Sequence, residues 1–204
     1  MFKSQTLFAV GIAAALGLAA CGSDAESSSD DGDALVSCLV TDLAGIDDKS
    51  FNASSWQGVL DAIDAGDAAP EPESFYLESD TESDWQPNID QMVSQGCEHI
   101  VTVGFALDAV TQENAPENPD ITWTLVDVDM IDFTTDPPTD IVFDNVQELT
   151  YQTDEAAFLA GYVAASVTET GIVGTFGGAN FPTVSIFMDG LYYGVQHYNE
   201  VKGT

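Results

Sequence analysis

Residues 42–52, DLAGIDDKSFN, place three carboxylates (Asp42, Asp47, Asp48) and one cation (Lys49) directly ahead of Ser50, Phe51 and Asn52. Carboxylates accept hydrogen bonds from hydroxyl or amine donors, a phenyl ring stacks on a flat ligand, and an amide both donates and accepts. The start of a helix normally cradles phosphate or sulfate with bare N–H groups or glycines. Three acids at that place repel anions, so a neutral polyhydroxyl or a cationic ligand is the chemistry expected. Helix capping is the simpler role for Asp48 or Ser50. Lys49 is one of only three lysines in a chain without arginine. It is expected to form an ion pair with Asp47, Asp42 or another carboxylate of the cleft and so to hold the loop in shape; direct ligand contact is the lesser alternative.

Other candidates are weaker. Phe51, Trp56, Trp85 and Phe105 sit at or just past strand-to-helix junctions, where rings meet ligands. Trp56 continues an apolar helical stripe and is expected in the core. Asp127 and Asp129 could imitate the paired aspartates of a magnesium-dependent phosphohydrolase, although a capped strand end explains them as well. GTFGG (174–178) lacks the lysine of a phosphate loop and the spacing of a dinucleotide fingerprint. Neither His99 nor His197 has a cysteine or histidine at ligand spacing, and no Ser-His-Asp order can be defended. No catalytic residue, metal or cofactor is therefore expected.

The elements that must position these residues read as an alternation. ALVSCLVT (34–41) is a continuous apolar run suited to a buried parallel strand. Trp56, Val59, Leu60 and Ile63 repeat at helical spacing, with Gly66 as the stop. Further strands are expected at 75–79, 99–104, 121–129, 140–145 and 172–178, and further helices at 85–95, 106–115, 149–168 (closed by Gly171) and 183–199. This pattern predicts an α/β fold with an open parallel sheet flanked by helices. Ligands of such sheets bind outside the carboxyl ends of the strands, which directs attention to the loops after 42, 79, 104, 129 and 177.

Lys3 followed by LFAVGIAAALGLAA reads as a secretory signal over 1–20. The run ends in Leu18-Ala19-Ala20-Cys21, the pattern of a lipobox, so Cys21 is the expected lipidation site and the protein is expected to be anchored to the outer face of a membrane. Residues 21–33 form an acidic tether expected to be disordered. The formal net charge is −32, with 35 Asp plus Glu, which makes nucleic acid and anionic lipid surfaces poor partners, since both are repelled over a Debye length; no nucleic acid is expected as a partner. The acidity fits an envelope facing salty water, or equally a lineage of acidic composition. Beyond Cys21, Cys38 and Cys97 form an even pair, which in an exported protein invites a disulfide. Two small buried apolar thiols are the favoured expectation, because a mid-strand Cys38 need not face Cys97.

VTDLAGIDDKSFNASSWQG (40–58), YLESD (76–80), PNIDQMVSQGCEHIVTVGF (87–105), DEAAFLAGYVAA (154–165) and GIVGTFGG…FPTVSIFMDGLYYGV (171–195) closely resemble the basic membrane protein family. These are substrate-binding lipoproteins of ABC importers, including purine nucleoside receptors. The resemblance implies a type I periplasmic-binding-protein-like fold of two α/β lobes, the first over 34–140. Residues 141–204 would hold the crossover and an incomplete second lobe. It implies a ligand gripped between the lobes, an ABC permease as partner, and no chemistry on the ligand. It carries ligand contacts onto Asp42, Phe51, Asn52, Gly104, Phe105 and Asp127, with Phe187 as the second-lobe ring; Asp47 is added from the loop itself. The alternatives are a phosphohydrolase using Asp127 and Asp129, and a ligand-sensing lipoprotein.

Overall fold

The computed structural model describes residues 34–203; the expected signal segment over 1–20, the expected lipidation site Cys21 and the expected tether lie outside the described residues. Five strands, β1 (Ser37–Val40), β2 (Phe75–Leu77), β3 (His99–Val103), β4 (Thr122–Val126) and β7 (Val146–Leu149), form one sheet in the order β2-β1-β3-β4-β7. Every pairing in it is parallel. Two-residue strands β5 (Ile131–Asp132) and β6 (Thr139–Asp140) make a separate antiparallel pair.

Helix α1 (Phe51–Ala65) packs on one face of the sheet, and α2 (Trp85–Ser94) and α3 (Asp108–Asn114) pack on the other. The period-2 geometry of strands divides the side chains between these layers. Cys38, Val40, Ile100 and Trp123 meet Ile89 and Met92 of α2 and Val110 of α3, while Leu39, Val101, Val103 and Val126 meet Trp56 and Val59 of α1. Burial on both faces is why these strands read as continuous apolar runs. Each fully buried Leu, Ile or Met contributes roughly 1.5–3 kcal/mol. Gly66 ends α1 as expected: at φ 84° it turns left-handed and returns its N–H to the carbonyls of Ala62 and Ile63.

Cys38 and Cys97 are joined in a disulfide with Cα atoms 6.0 Å apart, which overturns the preference for two free thiols. The reason is register. β1 pairs with β3 so that Ser37 lies opposite His99 and Cys38 opposite Ile100, and the chain entering β3 therefore passes beside Cys38. In the chain-entropy account, closing a loop of this 59-residue separation restricts the unfolded state by roughly 4 kcal/mol.

Two further expectations are corrected. The strand foreseen at 140–145 lies instead at Val146–Leu149. Asn145 is committed elsewhere: its side-chain amide donates to the carbonyls of Ala115, Asn118 and Ile121, while Ile141 and Phe143 pack on Leu125, Val128 and Met130. Residues 172–178 are irregular. A strand exists only through pairing, and among the described residues none runs beside this segment, so Ile172 and Phe176 stay exposed at 79% and 93%.

Helices α4 (Thr153–Val167) and α5 (Pro182–Lys202) pack closely on each other. Glycine permits the approach: a Cβ on Gly161, Gly190 or Gly194 would run into the backbone of Leu191, Asp154 or Phe158 respectively. Among the described residues no helix is long and apolar enough to cross a membrane.

Candidate ligand-binding site

The order β2-β1-β3-β4-β7 places the switch point of a doubly wound sheet between β1 and β3, where successive connections leave in opposite directions. Asp42 follows β1, Gly104 and Phe105 follow β3, and Asp127 follows β4. They open into a cleft of about 400 Å³, whose far wall is formed by Phe176 and by Val184, Phe187 and Met188 of α5. Phe51, at the start of α1, completes the near wall.

The near wall is held by its own hydrogen bonds. Asp42 Oδ1 accepts the Ala44 N–H at 2.9 Å and the Asn52 side-chain amide at 2.7 Å. Asp48 is the cap of α1: its Oδ1 accepts the N–H groups of Ser50 and Ala53, and its Oδ2 accepts that of Asn52. Ser50 makes no side-chain cap bond. Burial pushes the Asp48 carboxyl up, but these backbone N–H groups and the Asn52 side chain bring it below the ordinary carboxylate range.

Gly104 needs its residue type twice over. Its φ is 93°, and a Cβ there would stand 3.4 Å from Asp42 Oδ2. Asp127 also adopts a positive φ, 60°, which is why β4 ends at Val126 instead of running to 129. Only 7% exposed, Asp127 is raised by burial to about 6. Its charge adds to burial in raising Tyr151, whose ring stands 5.7 Å from that of Phe51.

Of the residues singled out in the sequence, the fold brings Asp42, Phe51, Gly104, Phe105, Asp127 and Phe187 into one cleft. Asp47 is exposed and off its wall, and Asn52 lies beneath the surface at 1% exposure. Lys49 makes no ion pair among the described residues; it is exposed at a φ of 54°. The loop shape assigned to that lysine comes from the Asp48 carboxylate and the Asn52 amide. Asp129 lies outside the cleft, in a separate recess with Asp108 and Phe133. Among the described residues, no group of three His, Cys, Asp or Glu side chains is placed to hold a metal ion.

Sequence reasoning missed Phe176, Val184 and Met188. Phe176 sits inside GTFGG, which reads as the end of a strand and as an incomplete phosphate loop, neither of which singles out its ring. The other two read as ordinary helix residues, because nothing local reveals which side of α5 meets the cleft. It also missed the pairing of Phe105 with Phe181, ring centres 5.3 Å apart, which joins the strand end to the start of α5. A second groove of about 510 Å³, lined by Val59, Val101, Val126 and His99, runs beside α1. Among the described residues, Asp67 is the one carboxylate in its lining.

The family model for Bmp, described as "ABC transporter substrate-binding protein PnrA-like", matches residues 35–202. Among curated relatives, the "CD4+ T-cell-stimulating antigen" of Listeria innocua is 31% identical, over 92% of this chain and 51% of that protein. The "ABC transporter nucleoside-binding protein BmpA" of Lactococcus lactis is 30% identical, over 79% of this chain and 43% of that protein. Among solved structures, an ABC transporter solute-binding protein from Aeropyrum pernix superposes with a TM-score of 0.63 at 25% identity, covering 83% of this chain and 45% of that one. The chain spans about half the length of the curated relatives it matches. With its parallel sheet, its strand-end cleft and a family match along nearly all described residues, the chain belongs to the Bmp family of PnrA-like ABC transporter substrate-binding proteins.

Proposed function

We propose that this protein is a non-enzymatic receptor that captures a purine nucleoside, or a similar neutral ring-bearing solute, and hands it to an ABC permease. In this reading Cys21 carries a lipid that anchors the protein to the outer face of the membrane, and residues 22–33 are the tether. The observation that carries the proposal is the convergence of Asp42 and Asp127 with Phe51, Phe105, Phe176 and Phe187 around one cleft that, among the described residues, has no lysine in its lining. Ribose hydroxyls are donors that carboxylates accept, a purine offers two faces to rings, and two acids at the cleft, Asp127 buried and Asp42 partly so, disfavour a phosphorylated ligand. The nucleoside-binding relative in Lactococcus lactis supports the ligand class.

Titration calorimetry with adenosine, guanosine, inosine and ribose tests it. Heat from at least one nucleoside and little from ribose is the expected outcome. Silence from all three nucleosides overturns the ligand assignment. The hydrolase alternative gains nothing from the geometry, since Asp127 and Asp129 face different recesses.

A further inference from the structure

Asn52 lies outside the lining of the cleft and combines three properties. It is 1% exposed, its amide nitrogen lies 2.7 Å from Asp42 Oδ1, and its own Oδ1 has no hydrogen-bond partner. A buried amide oxygen without a partner is unfavourable, so the orientation of this side chain must be set by what its other end does. The other end faces acids: turning the oxygen toward Asp42 would set acceptor against acceptor. The same residue donates its backbone N–H to Asp48 Oδ2 at 3.0 Å. It therefore ties two carboxylates of the loop through two neutral donors, the work a cation was expected to do.

We propose that Asn52 is a positioning residue that holds Oδ1 of Asp42, so that Oδ2 is the oxygen presented to the ligand, and that Asn52 itself touches no ligand. The inference rests on the nucleoside-receptor reading of the cleft. Asp42 Oδ1 already accepts two protein donors, Ala44 N–H and the Asn52 amide, and an oxygen with two lone pairs is then saturated. Oδ2 sits 3.4 Å from where a Cβ on Gly104 would be, and glycine keeps that approach open. A neutral donor also leaves Asp42 its full negative charge toward the cleft, which a buried lysine in the same place would offset. Asp42 therefore engages a ribose diol through one oxygen, with a fixed direction, instead of straddling it with both.

The test is a double-mutant cycle read with inosine and 2′,3′-dideoxyinosine by titration calorimetry. Asn52→Ala is expected to weaken inosine on the order of tenfold and dideoxyinosine less than about twofold. Placed on Asp42→Asn, the same substitution is expected to add less than about twofold, because its effect passes through the carboxylate. Asn52→Asp, which keeps the shape and removes the donor, is expected to reproduce the loss and stands in should Asn52→Ala fail to fold. Equal weakening of both ligands, or effects of Asn52→Ala and Asp42→Asn that multiply, overturns the proposal. If wild type binds neither compound, the nucleoside reading fails by itself. The positioning role is then decided by a ligand-free crystal structure of Asn52→Ala: a rotated Asp42 side chain supports it, and an unmoved one overturns it.

Discussion

The two walls of the cleft are built on different principles. The near wall is the carboxyl edge of a parallel sheet, where Asp42, Gly104 and Asp127 each follow the last residues of a strand paired on both sides. The far wall is the irregular segment 172–178 and one side of α5, and its Phe176 is 93% exposed. A hydrogen bond to a carboxylate weakens steeply when its direction is wrong, whereas ring stacking tolerates shifts and tilts. The groups that need a fixed direction are thus mounted on the ladder, and those that tolerate misplacement lie off it.

That contrast breaks most visibly at the disulfide, which ties β1 to the entry of β3 and so fixes the near wall. Cys38→Ala with Cys97→Ala is expected to lower unfolding free energy by about 2–4 kcal/mol, read by urea denaturation with and without reductant. Wild type in reductant should approach the double variant. A smaller loss would mean that pairing between β1 and β3 alone fixes the wall.

Asp48→Ala removes the acceptor of three backbone N–H groups at the start of α1. It is expected to cost about 1–2 kcal/mol in the same measurement.

Asp127 gives a prediction of opposite sign. Burial raises its carboxyl to about 6, above the unfolded value, so its contribution to stability is full below the unfolded pKa and is lost as pH rises through about 6. Asp127→Asn, which tolerates the positive φ, is therefore expected to raise stability by about 1 kcal/mol at pH 7 and to make little difference at pH 4. Binding should move the other way. A ligand donor needs the ionised carboxylate, so wild-type affinity falls as pH drops from 7 to 5, and the variant loses that dependence.

Lys49 sharpens the comparison within the loop. Its φ of 54° costs a side chain more than a glycine, so Lys49→Gly is expected to raise stability by about 0.5 kcal/mol. A loss there would restore an ion-pairing role to the lysine.

The smallest expected effect lies on the far wall. Phe176→Ser is expected to change stability by less than about 0.5 kcal/mol while weakening nucleoside binding in calorimetry. A large loss of stability would show that this ring is structural and that the two walls are less different than the geometry implies.

The sheet was legible because its strands are buried on both faces, a condition that writes itself into continuous apolar runs such as ALVSCLVT and HIVTV. Of the strand-end candidates, Asp42 follows once the first strand is placed, whereas Gly104 and Asp127 rested on the family resemblance, because the strand expected over 121–129 ran past Asp127 and β4 ends at Val126. The run IVGTFGG misled, because apolar residues signal a strand only where a neighbour supplies its hydrogen bonds.

By itself, then, the sequence determined the alternating parallel architecture, the acidic surface and the strand ends at which a ligand would be met, since each follows from local pattern and composition. Tertiary structure alone decided the Cys38–Cys97 bond, the burial of Asn52 behind Asp42, the displacement of Lys49 from the loop's hydrogen bonds and the arrival of Phe176, Val184 and Met188 across the cleft. Each of these depends on the register and approach of segments distant in the chain, and no window of neighbouring residues encodes that distance.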